Sequence, residues 1–468
     1  MHNSIENHAM SVDLWSRHLW KTAALVLLAS IPALYLLIIG RTLPAVAYVA
    51  IPFVVFLIAS PKYSYCLFIA LNFFYAPHYV SGFAVHPWDL AAFIFLAAVV
   101  ISWLFKYSAV VDKTAFDYNM IALILATVLS AVFAHKASLS VIPTARIILL
   151  FAVFRAIYYL GGKIGPSRML RYFILVFTLF SLNNSLEFFM GGGAFRIFGY
   201  SGIAFETFCM IGVPSSLAYA IWSQRKSSRV FYTFVFLINL GAAIATMSRG
   251  PLLTIAIAVP VLLYVSHRKA RQSGFDYARN YVRSFVTALI PVLLLMVIGS
   301  GYFLFVGERF EELVADQPTG TILLRLSLWK AAIDGFLLDP LTGIGIGNFR
   351  VIDALVPNLK FDAVRYYLVG MSFHNVFLQY LCETGLPGAL AILFLGWNVY
   401  RTGKRTLNAV VSKADMPMVS ALYISGFIFF ITIFYMRAWT WGQEGYVLAL
   451  VMGLLARAYR PVQLSGRR

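Results

Sequence analysis

The chain has 468 residues; 61% are hydrophobic, 16% aromatic and only 12% charged, with a mean hydropathy of +0.80. A soluble protein of this length needs a larger charged share to cover its surface, so the composition excludes a soluble globular enzyme and predicts a polytopic membrane protein. The net charge of +18 does not imply nucleic acid as a partner, because the basic residues recur in short clusters between apolar runs instead of forming one patch.

A membrane span needs roughly 17–25 mostly apolar residues. On that criterion the chain is expected to be an all-α polytopic protein of about fourteen spans (12–14): 22–40, 43–59, 64–80, 88–105, 118–134, 141–160, 172–190, 203–222, 230–247, 251–267, 284–306, 375–400, 417–436 and 442–458. Residues 1–21 are polar and include Arg17 and Lys21. The run after them is long enough to span and stay, so no cleavable signal is expected. Cys66, Cys209 and Cys382 lie within apolar runs and read as small core residues, not as a disulfide framework.

Alternate loops sort by charge. One set carries about two thirds of the 37 Lys and Arg, in clusters such as Arg168/Arg171, Arg225/Lys226/Arg229, Arg268/Lys269/Arg271 and Arg401/Lys404/Arg405. Cytoplasmic loops accumulate Lys and Arg, so this set and both termini are expected to be cytoplasmic. The remaining loops, including the long polar break near 307–373, then face outward. The organisation expected is a bundle over 1–306, an outward loop over 307–373 and closing spans over 374–468, together one membrane domain.

Basic residues are scarce on the outward side, so each one needs a reason. Arg146 lies about one and a half turns into the span predicted from residue 141. Arg155 is deeper and expected to snorkel or pair. Arg196 precedes a span, and His78, His86 and His135 are outward but scattered. Arg249 sits in Thr246-Met247-Ser248-Arg249-Gly250-Pro251, a tight turn between two spans. It reads either as an interfacial snorkelling residue or as an anchor for an anionic headgroup, since a guanidinium forks onto phosphate oxygens.

Within the break, residues 323–333 read as an amphipathic helix with Arg325 and Trp329 four apart on one face, ended by Asp339-Pro340. Such a helix either lies on the bilayer or roofs a cavity. The run Gly343-Ile344-Gly345-Ile346-Gly347-Asn348 follows no predicted strand and opens no helix, which excludes a dinucleotide fingerprint and leaves a tight turn permitting close backbone approach. His374 then stands at the mouth of the next span, followed by Asn375. An imidazole titrates near neutral pH and suits a general base. Glu383 lies nine residues further on, about two and a half turns deeper and on the opposite face; it is a functional or structurally paired carboxylate. No His, Cys or acidic spacing suggests a metal site, and no cofactor is expected.

Three pieces recur in order: Ser248-Arg249-Gly250 between two spans; Arg325 to Trp329 with Pro340 and Gly343-x-Gly345; and His374-Asn375-x-x-Leu378 to Glu383-x-Gly385, with Gly388 beyond. Together they resemble the O-antigen ligase and polysaccharide polymerase superfamily of bacterial inner-membrane proteins, over residues 200–400. The resemblance implies a metal-independent, inverting membrane glycosyltransferase in lipopolysaccharide or exopolysaccharide assembly. Its donor would be a glycan on undecaprenyl diphosphate at the periplasmic face. Its acceptor would be the lipid A core or a second lipid-linked repeat unit. By the same resemblance His374 would be the base, and Arg249 and Arg325 would hold the diphosphate; Arg146, Arg196, Trp329, Asn375 and Glu383 are weaker candidates from their positions. Two other classes compete: a flippase for a lipid-linked glycan, which would place ionisable residues near the midplane of repeated halves, and a non-catalytic assembly scaffold.

Overall fold

A computed structural model describes residues 54–73, 78–80, 83–85, 87–105, 112–190, 204–246, 249–287, 321–355, 373–435 and 443–465. The span expected at 22–40, most of those at 43–59 and 284–306, His86 and Arg196 lie outside them. The chain forms two compact units, residues 1–71 with 77–110, and residues 72–76 with 111–468.

The first unit contains α1 (Pro61–Leu71) and α2 (Pro87–Phe105). Between them, β1 (His78–Val80) and β2 (Phe83–Val85) form an antiparallel hairpin with His78 opposite Val85 and Val80 opposite Phe83. The expected span at 64–80 is therefore not one helix, and the unit is not purely helical. Pro77 disfavours helical backbone at the residue before it. The β-prone triplets His-Tyr-Val and Phe-Ala-Val flank Ser81-Gly82, a turn-forming pair. Phe68 of α1 stacks on Phe95 of α2 with ring centroids 5.3 Å apart.

The second unit is a helical bundle: α3 (Asp117–Val132), α4 (Ala137–Ile164), α5 (Pro166–Met190), α6 (Ala204–Trp222), α7 (Lys226–Ala245), α8 (Arg249–Gln272), α9 (Thr321–Leu338), α10 (Val376–Ala409), α11 (Met416–Thr432) and α12 (Gln443–Ser465). Among the described residues of both units, six helices are long and apolar enough to cross a membrane: 87–104, 137–164, 166–186, 226–245, 250–272 and 376–409. Shorter apolar helices run over 117–132, 207–222 and 416–432. Each of these helices overlaps one expected span, with bounds within about five residues except that one begins at 166 instead of 172 and another runs on to 409 instead of 400, and the protein is a polytopic membrane protein. α11 is buried nearly all round, as expected of a helix at a bundle centre; α10 and α6 pack against it.

Loops assigned to one face by charge meet one another. At the basic end, Arg155 pairs with Asp117 at 2.8 Å, Arg460 with Asp112 at 2.6 Å, and Lys269 donates to the Asn408 carbonyl at 2.9 Å. At the other end, His135 follows α3 and lies 3.3 Å from Asp339, which follows α9.

The element that organises this second end is a break in α10. Gly385 has φ 65° and ψ −167°, and Pro387 follows. A proline has no N–H, so the Glu383 carbonyl loses its usual donor four residues on. Within a bilayer an unsatisfied carbonyl costs several kcal/mol. The glycine-rich run resolves this. Gly345 N–H donates to the Glu383 carbonyl at 3.1 Å and Ile344 N–H to the Cys382 carbonyl at 3.0 Å. Leu386 N–H, also displaced from its helical partner, donates to the Pro340 carbonyl at 2.9 Å. Ser130 of α3 adds its hydroxyl to the Glu383 carbonyl. The Glu383 side chain completes the clasp: Oε1 accepts from Gly347 N–H at 3.0 Å and Phe349 N–H at 3.2 Å, and Oε2 from the Gln379 amide at 3.3 Å. Gly343 and Gly385 both have positive φ, and a Cβ on either would collide with the opposing backbone at Glu383 or Leu341. The expected close approach at the glycine run is what the structure has.

Glu383→Gln retains one oxygen for both backbone donors, so it should lower the melting temperature in detergent only slightly. Glu383→Ala strands Gly347 and Phe349 N–H and should cost about 2–4 kcal/mol. Equal melting temperatures for the two variants would show that the carboxylate does not hold the loop.

Candidate functional site

Two separated stretches of sequence meet at residues 373–375, and a third is bonded to the second of them. α9 supplies the first contact. Its buried face, Leu328, Ala331 and Ala332, packs with Ile344, Phe349, Ile352, Phe373 and Cys382 in one apolar cluster. On the adjoining edge the Trp329 indole N–H donates to the Phe373 carbonyl at 3.1 Å. Arg325 is exposed, one turn before Trp329. α9 extends the predicted amphipathic segment by two residues at its start and five at its end, and stops before Asp339-Pro340, as the sequence indicates.

The second contact comes from the turn after α11. Asn375 donates its side-chain N–H to the Phe434 carbonyl at 2.8 Å, and Phe377 N–H donates to the Ile433 carbonyl at 3.1 Å. The third is relayed from α8. The Thr254 hydroxyl accompanies the Gly250 carbonyl at 2.8 Å and the Tyr435 hydroxyl at 2.7 Å. Arg249 is the first residue of α8, so its backbone starts one turn from that bond, beside the turn that Asn375 holds.

His374 has φ 51°, a left-handed backbone, and among the described residues it is the only non-glycine with positive φ. That conformation costs of order 1–3 kcal/mol and persists only where surrounding bonds over-determine it. Here Trp329 grips the residue before His374 and Asn375 grips the turn after it. The helix cap is not His374, as its place at the span's mouth suggests, but Asn375, whose Oδ1 accepts from Leu378 N–H at 2.9 Å. Asparagine is a strong N-cap because its short side chain reaches the first-turn amides.

The lesser candidates separate. Trp329 and Asn375 fix the His374 turn. Glu383 is buried and bound to the glycine run, away from His374, as its helical phase predicts. Arg146 lies nine residues into α4, which begins at Ala137 and not at 141, so it is about two and a half turns deep instead of one and a half. Arg155 pairs inside, as expected. Sequence reading alone missed Ser130, Thr254, Gln379 and Tyr435. All are common polar residues in apolar runs, and only the helix break explains why Ser130 is needed. Asn348 was visible only as the end of the glycine run. It bonds through Oδ1 to Lys136 N–H at 2.9 Å and through Nδ2 to the Ser140 hydroxyl at 3.1 Å. Among the described residues no three His, Cys, Asp or Glu side chains come together to hold a metal.

Asn375→Asp keeps the acceptor for Leu378 N–H and loses the donor to Phe434. It should destabilise by about 1 kcal/mol, and Asn375→Ala by about 1 kcal/mol more. Thermal melts with amide exchange of residues 376–380 measure both; no difference between the variants would show that the cap is idle.

No curated protein matches the chain. Residues 233–393, about a third of it, match the family described as O-Antigen ligase. The matched stretch begins in α7, includes Arg249, Arg325, the glycine run and His374, and ends just beyond the break in α10. The match makes this part of the chain similar to the O-antigen ligase family.

Proposed function

We propose that the protein transfers a glycan from undecaprenyl diphosphate to an acceptor hydroxyl at the periplasmic face of the bacterial inner membrane, as an O-antigen ligase or polysaccharide polymerase. The observation that carries this reading is that α9 and the turn after α11 are both bound to the turn that holds His374, while α8 is bonded through Thr254 to Tyr435 of the turn after α11. In the proposed reaction His374 accepts the acceptor hydroxyl proton while that oxygen attacks the anomeric carbon. The bond from that carbon to the diphosphate oxygen breaks on the opposite face, which inverts configuration. The electron pair leaves with undecaprenyl diphosphate, and Arg249 and Arg325 neutralise its growing charge, with no metal assigned a role. The imidazolium then releases its proton to water.

The geometry supports His374 as base in one specific respect. A general base needs a fixed orientation toward its proton, and the turn bearing His374 is bound on both sides. Two arginines suit a diphosphate because each presents a planar fork to paired oxygens. Arg249 is in the first turn of α8, where the helix dipole also favours an anion.

With lipid-linked glycan reconstituted in liposomes, His374→Ala should lower transfer by about 10²–10⁴-fold with normal insertion; full activity in that variant would sink the base assignment. Arg249→Lys and Arg325→Lys should each lower transfer at least about tenfold, because lysine keeps the charge and loses the fork. Wild-type rates in both would refute bidentate holding. Offering lipid A core and a second lipid-linked unit in parallel, and measuring product length, separates ligase from polymerase.

A further inference from the structure

The cytoplasm-assigned end of α10 carries a second site that the transfer reaction does not use. A groove of about 560 Å³ opens between α10 and α11. One half is aromatic. Tyr400 stacks on Phe430 with centroids 5.9 Å apart and planes 19° apart, and Trp397 tilts over Phe430 at 5.5 Å. The other half is cationic: Arg401, Lys404 and Arg405 follow on the same helix face, all exposed.

Three other basic residues at this end are neutralised within the protein. Arg155 and Arg460 pair with Asp117 and Asp112, and Arg279 pairs with Asp276. Among the described residues, none of Arg401, Lys404 and Arg405 pairs with an acidic side chain. Three like charges within two turns repel one another, so an anion from outside the chain relieves them.

The rest of that helix face identifies the anion's carrier. Leu386, Leu390, Phe394 and Trp397 are all exposed and recur at three- and four-residue spacing, leading to Arg401. The stripe from Leu386 to Arg401 is about 22 Å long, more than one leaflet's hydrocarbon of roughly 15 Å. A free phosphate has no use for this track; an acyl chain does. The tryptophan at the junction sits where amphipathic rings mark the membrane interface.

We propose that this groove binds one anionic phospholipid, its phosphate held by Arg401, Lys404 and Arg405 and an acyl chain lying along Trp397 and Phe394. A cation beside an anionic headgroup is worth about fivefold in affinity, and the forked guanidinium groups favour phosphate. The proposal rests on the membrane-spanning character of α10 and is independent of the reaction assigned to its other end.

The test is native mass spectrometry of the full chain in detergent, titrated with phosphatidylglycerol or with phosphatidylcholine of the same acyl chains. The wild-type protein should retain its first phosphatidylglycerol at least about tenfold more tightly than phosphatidylcholine. The triple variant Arg401→Gln, Lys404→Gln, Arg405→Gln should lose that preference. Arg168→Gln with Arg171→Gln, in a separate groove between α5 and α7, should keep it. If the triple variant does not insert, the three single variants replace it, each expected to weaken binding about twofold to fivefold. Wild-type preference in the triple variant, or in all three single ones, overturns the site. Loss of the preference in the Arg168/Arg171 variant as well overturns its assignment to this groove. Displacement of phosphatidylglycerol by millimolar inorganic phosphate overturns the lipid as ligand.

Discussion

A membrane helix that stops bonding to itself must find donors elsewhere, and α10 does so at Gly385-Leu386-Pro387. The carbonyls of Cys382 and Glu383 are turned over to the loop after α9, and the Glu383 carboxylate closes on the same loop. In water such a break would be satisfied by solvent at little cost. In hydrocarbon the cost of leaving it open is several kcal/mol per group, so the loop and the helix are obliged to come together. A buried carboxylate is usually expensive, and here it is used as an acceptor for three N–H groups within one clasp.

The consequences run outward from that clasp. Once the glycine run is bound to α10, the end of α9 at Asp339 is fixed, and α9 lies against the apolar cluster around Cys382 and Phe373. Trp329 then reaches the Phe373 carbonyl, and Asn375 reaches the turn after α11. His374 sits between those bonds in a backbone conformation it would not hold alone. A strained residue maintained from several elements is a reasonable place to look for chemistry.

The membrane class, the bounds of the long helices and the order of the three motif pieces were legible in the sequence, because apolar runs, charge sorting and glycine and proline positions are local signals. The close approach at Gly343 and Gly345 was legible for the same reason: side-chain-free backbone in succession predicts a neighbour. The hairpin at 78–85 was hidden because a period-free apolar run of strand length does not distinguish helix from strand. What the glycines approach was not legible at all. It depends on Glu383 and Ser130, which are 253 residues apart, and a sequence carries no local trace of such a pairing. His374 and Asn375 are both polar and adjacent, and only the direction of the Asn375 side chain decides which of them caps the helix.

The start of α10 also bears on how the charge at the proposed site is carried. Helix N-termini bind anions through unpaired first-turn amides; α10 begins at the His374 turn, and α8 is bonded through Thr254 to Tyr435 of the turn after α11. In α10 two of those amides are already committed. Phe377 N–H is taken by the Ile433 carbonyl and Leu378 N–H by the Asn375 side chain. The N-terminus of α10 is therefore spent on holding its own histidine in place and has little left for a phosphate. Any diphosphate at this site has to be met by side-chain cations and by the start of α8, where Arg249 is the first residue. In the proposed reading the base then stands on α10 and the anion is met from α8 and α9, which gives each of the three motif pieces a separate task.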